Sequence, residues 1–287
     1  MIFINKLKIR YIVLFLFMLI YSFPVKCINL SSPISIGEPE KDKYLGIVFG
    51  MGQNVQKGTK LVNCDSCFFT NGLKFGYDFG IIYEQSFVND ITSFWHNFKW
   101  GAKAVYSDQG LNSNFVETVN AYYADYDMDI PIGLEHTNNI AISSIDIVPF
   151  LKYNFVSFAF VRFGIGANII VKDFMEHKIK LTEKTKTLPN GEVVSIYIPG
   201  QGKKKSISEY VAEEGEIKGL NKFYLSYSPG LGFDFNLSDN LQLTTGLDFT
   251  LPLTNILSSY NIDFGINRWR ISLELKYNVR DNSRVYR

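Results

Sequence analysis

Two closely spaced cysteines, three histidines and a set of charges at alternate positions are the residues of this chain with chemistry to offer. Cys64 and Cys67 stand in Asn-Cys-Asp-Ser-Cys-Phe. In an exported chain that spacing serves a small loop disulfide; elsewhere it serves as half of a zinc site or as a redox pair. A zinc site needs two further ligands, and His96, His136 and His177 are scattered along the sequence. A disulfide is the expectation, with two thiols and a metal or redox pair as alternatives. Catalysis at a membrane surface needs a His beside a Ser or an acid. His136-Thr137-Asn138 offers no Ser nucleophile, and no zinc-protease pair, phosphate loop or Gly-X-Ser-X-Gly elbow occurs. No catalytic residue, cofactor or resident metal is expected.

The charges make sense only on the elements that carry them. From Arg268 to Val279 the chain alternates without a break. Trp269, Ile271, Leu273, Leu275, Tyr277 and Val279 share one face; Arg268, Arg270, Ser272, Glu274, Lys276 and Asn278 share the other. Successive side chains of a strand point to opposite sides, so this is a strand with one apolar and one charged face. Seven earlier segments repeat the pattern, near Leu45–Gly52, Leu73–Glu84, Phe94–Ser107, Ser144–Tyr153, Ala159–Lys172, Phe223–Leu237 and Leu241–Leu251. With the last strand they make eight, long enough for the roughly 9–11 residues of a tilted membrane strand. Their connections alternate long and short, as in up-and-down membrane barrels. Asn114–Met128 alternates only in part and is read as an extension above the membrane, because one more crossing would break the rhythm. Pro189-Asn190-Gly191 before Val193–Tyr197 marks a hairpin inside the longest connection, Asp173–Asn221. The basic run Lys203-Lys204-Lys205 in that connection reads as solvated loop.

Alternation does not say which face is inside, and a lipocalin-like binding barrel would turn the apolar face inward. Glycines crowd the polar face (Gly46, Gly76, Gly101, Gly164, Gly166, Gly230, Gly232, Gly246), where they relieve crowding in a narrow lumen. The same face carries both charge signs: Lys74, Asp78, Glu84, Lys99, Lys103, Arg162, Asp234, Asp248, Arg268, Arg270, Glu274 and Lys276. Opposite charges can pair in a lumen. Aromatics lie towards the ends of the apolar face, where a strand meets membrane interfaces. The expected fold is an eight-stranded antiparallel up-and-down transmembrane β-barrel with long outer loops, its apolar face turned to lipid.

The totals agree. The chain has 287 residues, 46% of them hydrophobic, and a formal charge of +1, which suits an ordered protein of one or two domains and not a nucleic-acid binder. Residues 1–27 read as an export signal, with Lys6, Lys8 and Arg10 before the uncharged run Tyr11–Phe23, too short for an ordinary membrane helix. Lys26 before Cys27 is wrong for a lipoprotein signal. Residues 28–43 follow as a periplasmic leader, 44–279 as the barrel and 280–287 as a polar tail.

At four places the residues resemble a known family. They are the Gly-rich first strand, Phe-Gly-Tyr-Asp-Phe-Gly-Ile-Ile-Tyr-Glu at 75–84, Val-Pro-Phe-Leu-Lys-Tyr-Asn at 148–154 and Pro-Gly-Leu-Gly-Phe-Asp-Phe-Asn-Leu at 229–237. Together they look like the outer membrane protein β-barrel domain group of Gram-negative bacteria, the small OmpA/OmpX-like and PorT-like class. The resemblance implies insertion in the outer membrane with both termini periplasmic. It implies membrane lipids and the barrel-assembly machinery as partners, and leaves the outer loops for a surface ligand. It brings no catalytic residues. The tail is too short for a peptidoglycan-binding domain, so envelope tethering is not expected. A structural or surface-display role comes first, and a small-solute porin second.

Overall fold

The computed structural model describes residues 42–58, 60–61, 68–88, 93–123, 127–199, 206–238, 240–257 and 264–279. The export signal, the leader before residue 42, Cys27, Cys64, Cys67, Lys203–Lys205 and the tail lie outside the described residues. In chain order the strands are β1 (Lys43–Gly58), β2 (Lys60–Leu61), β3 (Phe68–Phe69), β4 (Leu73–Ser86), β5 (Phe98–Asp108), β6 (Leu111–Tyr123), β7 (Met128–Val156) and β8 (Ala159–Leu181). There follow β9 (Thr185–Thr187), β10 (Val193–Ser195), β11 (Ile198–Pro199), β12 (Ser206–Ile207), β13 (Glu209–Gly215), β14 (Phe223–Asn236), β15 (Leu241–Pro252) and β16 (Phe264–Asn278).

Eight of them close a ring: β8-β14-β15-β16-β1-β4-β5-β7, with β7 returning to β8. All the pairings are antiparallel. Closure runs from Tyr44↔Asn278 to Gly58↔Phe264 between the first and last strands. It removes the unpaired edge that an open sheet would present. The chain is an eight-stranded antiparallel up-and-down barrel.

The apolar face points outward. Ile47, Phe49, Phe79, Ile81, Ile165, Leu231, Ile271 and Leu273 are all exposed. Glu84, Lys152, Asn168, Glu274 and Lys276 are fully buried inside. A lipocalin-like interior, apolar and open for a ligand, is therefore absent from the ring. Aromatic side chains ring the short-turn end, with Tyr83 on Trp100 at 5.7 Å and Phe98 on Tyr153 at 4.8 Å between centroids. Trp269 pairs across strands with Phe249 towards the long-loop end. The eight steps from Trp269 to Tyr277 span about 26 Å of strand. Tilted by about 40°, that rises about 20 Å, within the roughly 25 Å apolar band of a membrane barrel.

Glycine on the inner face has a local reason. Phe150 and Phe160 point into the lumen, buried, and each faces a cross-strand glycine, Gly101 and Gly232. A Cβ at Gly101 would meet Phe150 Cζ at 2.6 Å, and one at Gly232 would meet Phe160 Cζ at 2.8 Å. The missing side chains are the space into which the rings fold.

Three expectations need correction. The third strand begins at Phe98, not Phe94. Phe94–Asn97 is a 3₁₀ turn in which the Ser93 hydroxyl accepts from the Trp95 N–H. His96 therefore sits in that turn and not on a strand face. The connection from Asp108 to Asn139 is not a loop. β5 resumes as β6 after Gln109–Gly110 and keeps the same register against β7, from Asp108↔Ser143 to Leu111↔Ile140. Asn114–Met128 thus ends an elongated hairpin and adds no crossing. Asp173–Asn221 is not a loop either. β8 runs on to Leu181, β9 and β10 form the hairpin around Pro189–Gly191, and β13 pairs with β8. The outcome is a four-stranded extension, β13-β8-β7-β6, rising from one end of the ring.

Candidate functional site

Inside the ring the charges stack in three layers. At the short-turn end Glu84 lies 3.1 Å from Lys99, 3.3 Å from Lys152 and 3.0 Å from Lys276. Asp234 joins them, 2.6 Å from Lys152, and accepts from the Thr244 hydroxyl at 2.6 Å. In the middle, Glu274 binds Arg162 at 2.8 Å and Lys103 at 2.9 Å. Both oxygens of Asp248 accept from Arg162 Nη2, at 2.7 and 3.0 Å. Above them Arg268 meets Asp146 at 2.8 Å, and Arg270 meets Asp78 at 3.1 Å and donates to Asn54 at 2.7 Å. Rings cover several cations: Lys152 lies 4.1 Å from the Phe160 centroid and Arg162 5.1 Å from that of Phe150. Such burial is tolerated only because each charge has close partners of opposite sign.

Between the middle and upper pairs lies a cavity of about 50 Å³. That is room for a few waters and no more. Lys74 stands apart, half-buried near Gly110 at the long-loop end.

A second barrier closes that end. Phe69, Leu111, Ile140, Ile142, Ile170, Met175, Ile217, Tyr224, Ile256, Leu257, Phe264 and Ile266 form one buried cluster. They come from β3, β6, β7, β8, β14 and β16 and from the segments that hold Ile217 and Ile256–Leu257. Leu220 pairs with Leu257 across those two segments, and Gln56 of β1 donates to the Phe69 carbonyl of β3. Tyr224 anchors the cluster to the lumen through a 2.8 Å bond from its hydroxyl to Gln109.

The extension brings together residues that the sequence keeps apart. His136 on β7 and His177 on β8 are both buried, with Nδ1 and Nε2 3.1 Å apart. Glu117 on β6 lies 2.9 Å from His136 Nε2. Phe115 stacks on His136 at 4.6 Å, and Phe69 meets His177 edge-on at 5.6 Å. The expectation of scattered histidines fails for these two. They converge because β6, β7 and β8 are neighbours at this height. Lys178 of the extension and Lys222, just before β14, pair in the ordinary surface manner: hydrogen bonds to Glu176 and Asp173 raise their ammoniums above the usual lysine range. Exposed pairs of this sort add little stability.

Of the charges expected in the lumen, all but Lys74 belong to the three layers. Two members were missing from that set, Asp146 and Lys152, although both lie on the polar face of β7. The intervening Val148 and Phe150 blur that face, and the pairing with β8 skips Val148 and Pro149.

No family model and no curated protein matches the chain. Among solved structures it is similar to Ail, the attachment invasion locus protein of Yersinia pestis, at 13% identity over 82% of this chain and 99% of that one, with a TM-score of 0.33. It is similar to Neisserial surface protein A at 8% identity over 84% of this chain and 100% of that one, with a TM-score of 0.31. The third is the outer membrane protein OprG of Pseudomonas aeruginosa, at 10% identity over 85% of this chain and 98% of that one, with a TM-score of 0.27.

Proposed function

We propose that the chain is an integral outer-membrane barrel with a closed lumen, whose working surface is the long-loop end. The observation that carries this reading is the inversion of its faces: apolar side chains outside, paired charges inside. An apolar belt flanked by aromatics matches lipid and would be costly in water. The short turns would face the periplasm together with both termini, since eight crossings return the chain to its starting side. The four-stranded extension would then stand outside the cell and offer its outward polar face to a surface ligand. Barrel lipids and the assembly machinery follow as partners from insertion itself.

Fractionation tests the location. The protein should be recovered with outer membranes and resist a carbonate wash; recovery as a soluble periplasmic protein would overturn insertion.

Two structural barriers argue against a route for solutes, the ion-paired layers and the apolar cap above them. In a planar bilayer the purified protein should therefore give no steady conductance. Stable, ohmic channels of one size would favour the small-solute porin instead and remove the display reading.

A further inference from the structure

The lumen between the middle and upper pairs has hydrogen-bond donors left over. We propose that its cavity holds one small monovalent anion of the halide class, bound at Arg268. The proposal rests on the closed lumen and not on what the long-loop end binds.

Four observations carry this, all from described residues of the ring. First, Arg268 lines the cavity and is only 3% exposed, yet it engages a single nitrogen. Nη2 meets Asp146 at 2.8 Å and Asn168 at 3.4 Å. Nε and Nη1 are buried without a partner, so more than half of the N–H donors of this guanidinium are unused. Second, Ser228 and Ser272 line the same cavity, and their hydroxyls are likewise buried and unpartnered. Third, the acceptors nearby are already engaged. Asp146 accepts from Ser107, Ser144 and Arg268, and both oxygens of Asp248 accept from Arg162. One oxygen of Asp78 accepts from Arg270. Fourth, charge is unbalanced in the same sense. Lys103, Arg162, Arg268 and Arg270 line the cavity against Asp78, Asp146 and Asp248. Glu274 also holds Arg162 and Lys103, but in the short-turn layer Lys99, Lys152 and Lys276 outnumber Glu84 and Asp234. The three layers together thus carry one positive charge in excess.

Unmade hydrogen bonds and uncompensated charge both cost free energy in a buried site. Water relieves the first only in part, because each molecule that accepts a bond brings donors of its own. An anion accepts from every direction, brings no donor and cancels the excess charge. The carboxylates in the lining repel a multiply charged ion, which restricts the class to monovalent ones. A cavity of about 50 Å³ has room for one.

The test uses the whole chain refolded in detergent, with heat-modifiable gel mobility reporting the fold. Bromide is the probe, exchanged against gluconate at constant ionic strength. A ligand of the folded state raises stability with the logarithm of its concentration. Ser272→Asp sets a carboxylate into the cavity in place of the ion. As bromide replaces gluconate, the urea midpoint of the parent should climb relative to that of Ser272→Asp. Should this variant fail to fold, Ser228→Ala with Ser272→Ala decides, since it removes both free hydroxyls and should shrink the response. Diffraction at the bromine edge, from crystals grown in bromide, should place one ion beside Arg268. Equal bromide responses in the parent and the folded variant overturn the proposal, by making the effect one of bulk salt. A cavity without bromine signal also overturns it and leaves the space to water.

Discussion

Glu84→Gln is expected to destabilise the barrel by about 3–5 kcal/mol, the cost of breaking a buried ionic group by removing one partner. The carboxylate is fully buried and has Lys99, Lys152 and Lys276 within 3.3 Å. Neutralised, it would leave those ammonium groups with Asp234, which reaches Lys152 at 2.6 Å but Lys276 only at 3.7 Å, and with Glu274, 3.8 Å from Lys276. Like charges then repel in a narrow space where Lys152 and Lys276 are fully buried and only Lys99 reaches the solvent in part. Unfolding in urea from lipid vesicles, followed by gel mobility, measures the loss. Adding Lys152→Met to Glu84→Gln should restore more than half of it, because the second change removes a stranded charge and keeps the volume. A single variant within about 1 kcal/mol of the parent would mean that the layer is wet, and that the lumen is screened by water and not sealed by pairs.

The same reasoning revises an expectation from the sequence. Glu274, read only as one polar position of the last strand, invites the view that Glu274→Gln folds nearly as the parent does. In the structure Glu274 is fully buried between Arg162 and Lys103. Neutralising it is now expected to cost stability on the scale of Glu84. Alternation revealed which face Glu274 occupies, because one period-2 pattern runs the whole strand. It could not reveal which partners share its layer, because those come from strands far away in the chain.

That division holds elsewhere. The ring strands were legible because lipid outside and charge inside impose opposite chemistry on alternate residues, and β16 obeys without exception. The extension was not, for a local reason. At the junction of β7 and β8 the pairing slips between Ser143 and Ser144, leaving Val171 as an extra residue on β8. Such a bulge turns every later side chain to the other face. Below it Arg162 and Asn168 point in; above it Met175, His177 and Leu181 do. A reader following one parity sees the strand stop at Lys172, and so places His177 in a loop. The inner face of the extension also changes character, from charged to apolar, because it packs against the cap and not across a lumen. The His136–His177 contact was hidden by both effects at once.

Leu273→Arg is the second large effect. Leu273 lies in the middle of β16, 48% exposed on the outer face, between Phe49 of β1 and Thr245 of β15. The same substitution has opposite consequences in the two environments that face could meet. In water, an exposed Leu replaced by Arg on a strand surface changes stability by no more than about 0.5 kcal/mol. Near the midplane of a bilayer it costs about 2–4 kcal/mol, since the cross-strand neighbours Phe49 and Thr245 offer the guanidinium no opposite charge and the side chain must bend towards an interface. Tyr277→Arg, on the same face of the same strand but at its short-turn end, should cost only about 0–1 kcal/mol, because the interface is within reach. The gradient between these two positions is the measurement, taken as urea midpoints of the refolded variants in lipid vesicles. Equal, small effects at Leu273 and Tyr277 would mean that no hydrocarbon touches this face. A steep drop at Leu273 alone would locate the midplane on β16, level with the Glu274 layer inside. At that level the barrel wall is one strand thick between lipid and paired charge.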